Sequence, residues 1–275
     1  MKTSTLFRLS RLRSFIAPAA PLLALAFSHG ASAQAAAPAA DAWQITGGAG
    51  VVSRPLYAGS AQRKVSGFPV FSAQHGRYFI GSMPGTGVPA GAGAYLVQDE
   101  HWQLGVGVGG DFDKPRKESD SASLRGLGDI EATAFGVAFA SYNQRWYSVR
   151  GSLLTDIGGK GQGTRAMFEL EGRYAITDSL MLTAGPSVTW ADSRYTQTHF
   201  GIDATQSANA GRAAYAAKGG VNAVGLGAGL RWQPAPAWTT GVMLNASRLR
   251  GAAAASPLVE RKAQTTYGLF AAYRF

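Results

Sequence analysis

Residues 266–275 read TYGLFAAYRF. Counting back in twos from Phe275, Tyr273, Ala271, Leu269 and Tyr267 share one face. Arg274, Ala272, Phe270, Gly268 and Thr266 share the other. A period of two with unlike faces is the signature of a β-strand. Chain ends in water usually fray. An aromatic at the last position is instead expected where an apolar surface meets a polar one, which raises the question of what solvent that face meets.

The alternation recurs. WQITGGAGV (43–51) sets Trp43, Ile45, Ala49 and Val51 against Gln44 and Thr46. WQLGVGVGGD (102–111) sets Trp102, Leu104, Val106 and Val108 against Gln103, Gly105, Gly107, Gly109 and Asp111. In AMFELEGRY (166–174), Phe168, Leu170 and Tyr174 oppose Glu169, Glu171 and Arg173. SLMLTAGPSVTW (179–190) and VGLGAGLRW (224–232) repeat the pattern, with Thr183, Ser187, Thr189, Gly225, Gly227, Gly229 and Arg231 on the polar or small face. Further strands are expected near 65–73, 77–83, 91–97, 130–141, 146–155 and 238–249, and the last over 264–275, which makes about twelve, each of a length that crosses a bilayer at a tilt.

The connections alternate in length. Short ones fall at 74–77, 98–101, 142–145, 176–179 and 233–237, and longer ones at 53–64, 84–90, 111–129, 156–164, 191–220 and 250–263. Short turns on one rim and long loops on the other is the outer-membrane barrel pattern. Trp43, Trp102, Trp146, Trp190, Trp232, Trp238, Tyr273 and Phe275 sit near strand ends, where interfacial girdles lie. The expected fold is therefore all-β: a transmembrane antiparallel β-barrel of about 12 strands over residues 43–275, with short periplasmic turns and longer extracellular loops. Phe275 is expected in the periplasmic-side girdle. The rival is a soluble β-sandwich with 266–275 as an edge strand.

Composition agrees. Charged residues are 15%, low for a soluble protein, and there is no cysteine for a disulfide, a thiolate metal site or a thiol nucleophile. Residues 1–33 have the parts of a secretory signal: basic Lys2, Arg8, Arg11 and Arg13, an apolar stretch from Phe15 to Phe27, and Ala31-Ser32-Ala33 as a cleavage site. Cleavage there lowers the net charge from +10 to about +6 and leaves 34–42 as a flexible lead-in. No later segment is apolar enough for a membrane helix, so contact with a bilayer would be through strands.

The polar faces belong in a lumen, because unpaired charge is costly in lipid. Inward glycines leave space for a narrow channel, whereas Arg150, Glu169, Glu171, Arg173 and Arg231 could pair across the lumen and fill it; a barrel of this size can hold either. Basic residues at 54, 63, 64, 114, 116, 117, 125, 160, 165, 194, 212, 218, 250, 261 and 262 fall on the longer connections. They either form an outer rim suited to the phosphates of lipopolysaccharide or are simply solvated loop charge. Nucleic acid is not an expected partner for a secreted barrel.

Three stretches go beyond architecture: SRPLYAGSAQRKVSGFPVFSAQHGRYF (53–79), ESDSASLRGLGDIEAT (118–133) and LTAGPSVTWADSRYTQTHFGI (182–202). With SRLRGAAAASPLVERKAQTTYGLFAAYRF (247–275), they resemble the MipA/OmpV family of MltA-interacting outer-membrane proteins. Leu124-Arg125-Gly126-Leu127-Gly128-Asp129 and Asp192-Ser193-Arg194-Tyr195 through Phe200-Gly201 are the most specific pieces. The run Gln206-Ser207-Ala208-Asn209-Ala210-Gly211 departs from the family pattern. The resemblance implies the outer membrane, insertion by the barrel assembly machinery, and a scaffold between a murein transglycosylase and a murein synthase. Other members are described as surface antigens or adhesion-related. It implies no enzyme and no cofactor.

An interaction site is expected at Asp192, Arg194, Tyr195 and His199 together with Asp129, at the loops or the lumen mouth. Asp192, Ser193 and His199 also hold the residue types of a lipid hydrolase, which requires hydrogen-bond contact between base and nucleophile. The plainer reading is a loop locked by turn bonds and charge pairs. His75 and His101, in two short turns, are too few for a metal centre. GVGVGG and GLGAGL lie within strands and precede no helix, so they are not phosphate loops. Scaffolding is the expected role, with a narrow diffusion channel or a surface adhesin as alternatives.

Overall fold

The protein is described from a computed structural model over residues 42–83, 85–110 and 114–275. The expected signal peptide and nearly all of the expected lead-in lie outside the described residues.

Twelve strands form one closed antiparallel barrel. They are β1 (Gln44–Pro55), β2 (Arg63–His75), β3 (Tyr78–Gly81), β4 (Ala90–Gln98), β5 (Trp102–Gly110), β6 (Ala134–Asn143), β7 (Tyr147–Asp156), β8 (Thr164–Ala175), β9 (Leu180–Ala191), β10 (Gly220–Ala235), β11 (Trp238–Leu249) and β12 (Ala263–Arg274). Each pairs with its sequence neighbours, and β12 closes on β1 with Val51 opposite Leu269 and Thr46 opposite Arg274. Closure leaves no sheet edge, the condition for a sheet to stand in lipid, where an unpaired peptide group finds no water.

Five connections are tight turns of two to four residues, and the other six are longer loops on the opposite rim. Outward positions are apolar and exposed, among them Ile45, Val108, Phe168, Leu226, Val242 and Leu269. At the turn rim the aromatics form a girdle of ring contacts. Trp43 meets His75 at 5.2 Å, Trp102 meets Tyr142 at 4.8 Å, and Trp238, Tyr273 and Phe275 form a chain of edge contacts. Phe275 is tied in by its amide, which donates to the Ile45 carbonyl at 2.9 Å.

The interior has two unlike halves. The charged residues expected to pair across the lumen pair instead along its wall, on neighbouring strands β7 and β8: Arg150 contacts Glu169 at 3.2 Å and Glu171 at 3.3 Å, and Arg173 contacts Glu171 at 3.2 Å. These side chains are nearly buried, so each charge needs the other. Arg231, expected in the same set, reaches Met181 Sδ at 3.4 Å.

Elsewhere the expectation of polar inward faces is corrected. On β6 the large side chains turn inward. Phe135, Val137 and Phe139 are buried with Phe79, Met83, Val88, Tyr95 and Leu154 in an apolar plug. The inward glycines of β5 make the room: a Cβ on Gly105 would sit 2.3 Å from the Phe139 ring, and one on Gly107 2.2 Å from the end of Met83.

The plug also explains why β3 is short. A strand was expected over 77–83, but it ends at Gly81, and the connection to β4 turns into the lumen. There Met83, Thr86 and Val88 are fully buried, and Ser152 donates to the Gly85 carbonyl at 2.9 Å. Burying two apolar side chains is worth about 1.5–3 kcal/mol each, more than the ladder bonds given up, at about 1 kcal/mol each.

Candidate functional site

The loops pack into a cap over the loop rim. Helices α1 (Ser193–Phe200), α2 (Ala204–Ala210) and α3 (Gly251–Ala255) supply its frame. The long connection expected at 191–220 spans 192–219 and is a helical part of this cap. One apolar cluster joins Tyr57, Leu124, Leu127, Ile202 and Leu258 from four loops, and a second joins Phe200, Ala217, Leu249 and Ala253. The Tyr57 hydroxyl also meets Ser123 Oγ at 3.0 Å and donates to Glu260 Oε1 at 3.1 Å. Its pKa is raised, burial being the largest cause.

The run 124–129 is readable as structure. Leu124 and Leu127 fill the first cluster. Gly126 has φ +82°, and an added Cβ would lie 2.7 Å from the backbone of Asn209 and Ala210, so only glycine lets α2 approach. The Gly126 and Gly128 amides donate to the Glu118 carboxylate at 2.7 and 3.2 Å. Asp129 accepts from the Glu118 amide at 2.7 Å and from Lys114 Nζ at 2.9 Å. The departing run at 206–211 lies in α2 and its cap, where Asp203 and Gln206 form a capping box and Gly211 closes the helix left-handed.

The expected site residues divide. Asp192 is the N-cap of α1: Oδ1 accepts from the Tyr195 amide at 2.7 Å and Oδ2 from the Thr164 amide at 3.0 Å. It fastens the helix to β8, as the plainer reading had it. Arg194 lies exposed on α1. Asp129 belongs to the Lys114 ion pair. Besides the Asp192–Tyr195 cap bond, Tyr195 and His199 come together, their rings stacked at 4.2 Å. Both Asp192 oxygens serve backbone amides and His199 stacks on Tyr195, so Asp192, Ser193 and His199 form no relay among the described residues.

Two residues that sequence reasoning placed on the basic outer rim lie inside. Arg116 is 3% exposed and Arg165 is 7% exposed. Arg116 donates to the His199 carbonyl at 3.3 Å. Arg165, on the lumen face of β8, lies 5.6 Å from the Phe135 ring centre and 5.9 Å from that of Tyr195, between plug and cap. The Nε atoms of both arginines and Nε2 of His199 are shut off from solvent without a hydrogen-bond partner among the described residues. His199 keeps some outer surface, but burial of its ring holds its pKa down at about 3, with help from the charges of Arg116 and Arg165. Burial also works against the Arg116 charge.

A cation–π contact contributes about 0.5–2 kcal/mol, while burying an ion costs several kcal/mol. The two ring contacts of Arg165 do not close that gap. Parity could have shown Arg165, since 165 shares the face of Glu169 and Glu171. Nothing in the sequence marks Arg116, which reaches the interior only because its loop folds under α1.

Below lies a small pocket, partly open to solvent. Its walls include Glu169, Thr183, Ser187, Gly227, Asn245 and Thr266. No group of three His, Asp or Glu side chains among the described residues is placed to hold a metal ion.

The fold resembles solved outer-membrane proteins at low identity. OprB of Pseudomonas putida matches at 9% identity and TM-score 0.39, over 76% of this chain and 59% of that one. The channel DcaP of Acinetobacter baumannii matches at 9% and 0.40, over 85% and 97%. OmpT of Vibrio cholerae matches at 8% and 0.36, over 87% and 99%. The chain thus spans less than two thirds of the OprB chain. No curated protein matches the sequence. The family comparison is direct: residues 47–275 match the model for MltA-interacting protein MipA, and the chain belongs to that family.

Proposed function

We propose that this outer-membrane barrel works as an anchor and docking component of the cell envelope rather than as an open pore. The observation that carries this is the double closure of the barrel. Half the lumen holds an apolar plug, and a packed cap lies at the loop rim. Such a barrel invests its interior in rigidity. The family's name supplies the partner class, a murein transglycosylase, and a murein synthase would complete the scaffold. The docking surface would be the turn rim, where Trp146, Tyr174 and Phe275 are exposed. The loop rim would face lipopolysaccharide, with Arg63, Lys64, Arg261 and Lys262 near its phosphates. A signal peptide at 1–33 and insertion by the barrel assembly machinery complete this reading.

The test is in-cell crosslinking from photoreactive residues at His75, Asp99 and Asn143, against Lys117 and Gln206 on the cap. Crosslinks from the turns to murein enzymes support docking. Silent turns, with cap crosslinks to lipopolysaccharide alone, count against it.

One observation favours a second reading, a narrow channel. The β9–β12 wall is lined by small and polar residues around the pocket. Conductance of the purified barrel in planar bilayers distinguishes the two, since an anchor conducts nothing.

A further inference from the structure

We propose that Arg116, Arg165 and His199 form an internal binding site for a small oxyanion, a phosphate or a carboxylate, between the cap and the plug. Three elements bring these residues together: the β5–β6 loop, the outer end of β8, and α1. Two guanidinium groups are more than nine-tenths buried, and neither forms an ion pair with a described carboxylate. Each keeps an Nε–H with no acceptor, and His199 Nε2 is likewise without a partner.

The groups are neighbours. Arg116 bonds the His199 carbonyl, Arg165 lies over the Tyr195 ring, and that ring stacks on His199. Both arginine charges also act on the His199 ring. A buried guanidinium demands a counter-charge, and its planar fork matches the two oxygens of a carboxylate or phosphate. A neutral imidazole in its Nε2–H tautomer adds a third donor without adding a third charge. The ligand completes an interior that the chain leaves cationic, and its binding would lock α1 onto β8.

The sequence also holds Asp111 and Asp113, outside the described residues. If they neutralise the arginines, the folded protein has no need of an added anion, and the measurement below separates the cases.

The experiment is calorimetric titration of the purified full barrel in detergent with inorganic phosphate, and separately with acetate, in an anion-poor buffer. Melting is followed in parallel. Wild type should bind one equivalent of at least one anion and melt at higher temperature when it is present. Arg165→Met and Arg116→Met should each weaken binding by about tenfold or more, as expected for loss of a charge-assisted bond. Lys218→Ala, an exposed cap residue, should bind like wild type. If an arginine variant does not fold, His199→Phe replaces it, with a smaller expected loss. A short-chain phospholipid arm then asks whether the phosphate can come from a lipid headgroup. Absence of binding by both anions overturns the proposal, and so does binding unchanged in both arginine variants. Turn crosslinks to murein enzymes are independent of either result.

Discussion

The Tyr57 hydroxyl donates to Glu260 Oε1 at 3.1 Å, and this bond ties the first loop of the barrel to the last across 203 positions of sequence. Glu260 also accepts from the Ala61 amide at 2.8 Å, so one carboxylate closes the ring of loops where β12 meets β1. Tyr57→Phe keeps the ring and removes the bond. The expected cost is about 1 kcal/mol, seen as faster proteolysis of the cap with the barrel intact.

The cap should weaken in acid in two steps. The Glu260 pKa is lowered, the Ala61 amide being the first cause. Its contribution is therefore present above the ordinary carboxylate range and is lost as pH falls through its lowered value. His199 acts at higher pH. It stays neutral when folded, with a pKa of about 3, but protonates near 6.5 once exposed. Opening then takes up a proton, so stability falls from about pH 6.5 downward, by up to about 1.4 kcal/mol per pH unit. Hydrogen exchange of cap amides against pH measures both. His199→Gln should flatten the upper step and Glu260→Gln the lower.

Gly126 and Gly128 should differ in how costly an added methyl is. Both have positive φ, but a Cβ on Gly126 would strike the α2 backbone while one on Gly128 meets nothing within 4 Å. Gly128→Ala should cost about 1 kcal/mol of backbone strain. Gly126→Ala should cost more and displace α2, visible as protease cleavage near 204–210.

The ion pairs should not tolerate removal of one partner. Glu169→Gln weakens the pairing of buried Arg150, and the expected loss is about 3–5 kcal/mol. Replacing Arg150, Glu169, Glu171 and Arg173 together by Met and Leu should cost less, since no buried charge of the network is then left without its partner. Urea unfolding of the barrel in detergent ranks the variants.

The plug should set conductance. Phe139→Ala with Met83→Ala empties space beside the β5 glycines. If the plug is what closes that half of the lumen, this variant conducts where wild type does not. Equal silence from both would assign closure to the cap.

Much was legible in the sequence because a barrel wall is a local pattern. Alternation of side chains along each strand, the parity of turn and loop lengths, and aromatics at strand ends gave twelve strands and both rims, since each depends only on neighbouring residues and on the solvent of each face. That Arg150, Glu169 and Glu171 face inward was legible for the same reason, but that they pair along the β7–β8 wall and not across the lumen needed the strand register. What only the tertiary structure decided lies where the chain leaves that pattern. Phe135, Val137 and Phe139 turn inward because Gly105, Gly107 and Gly109 on the next strand leave room, a fit between two strands that neither shows alone. Asp192 caps α1 and fastens it to β8 because the Thr164 and Tyr195 amides claim its oxygens. Arg116 and Arg165 read as surface charges until α1 folds over them, because burial is a property of what packs above a residue and not of the residue itself.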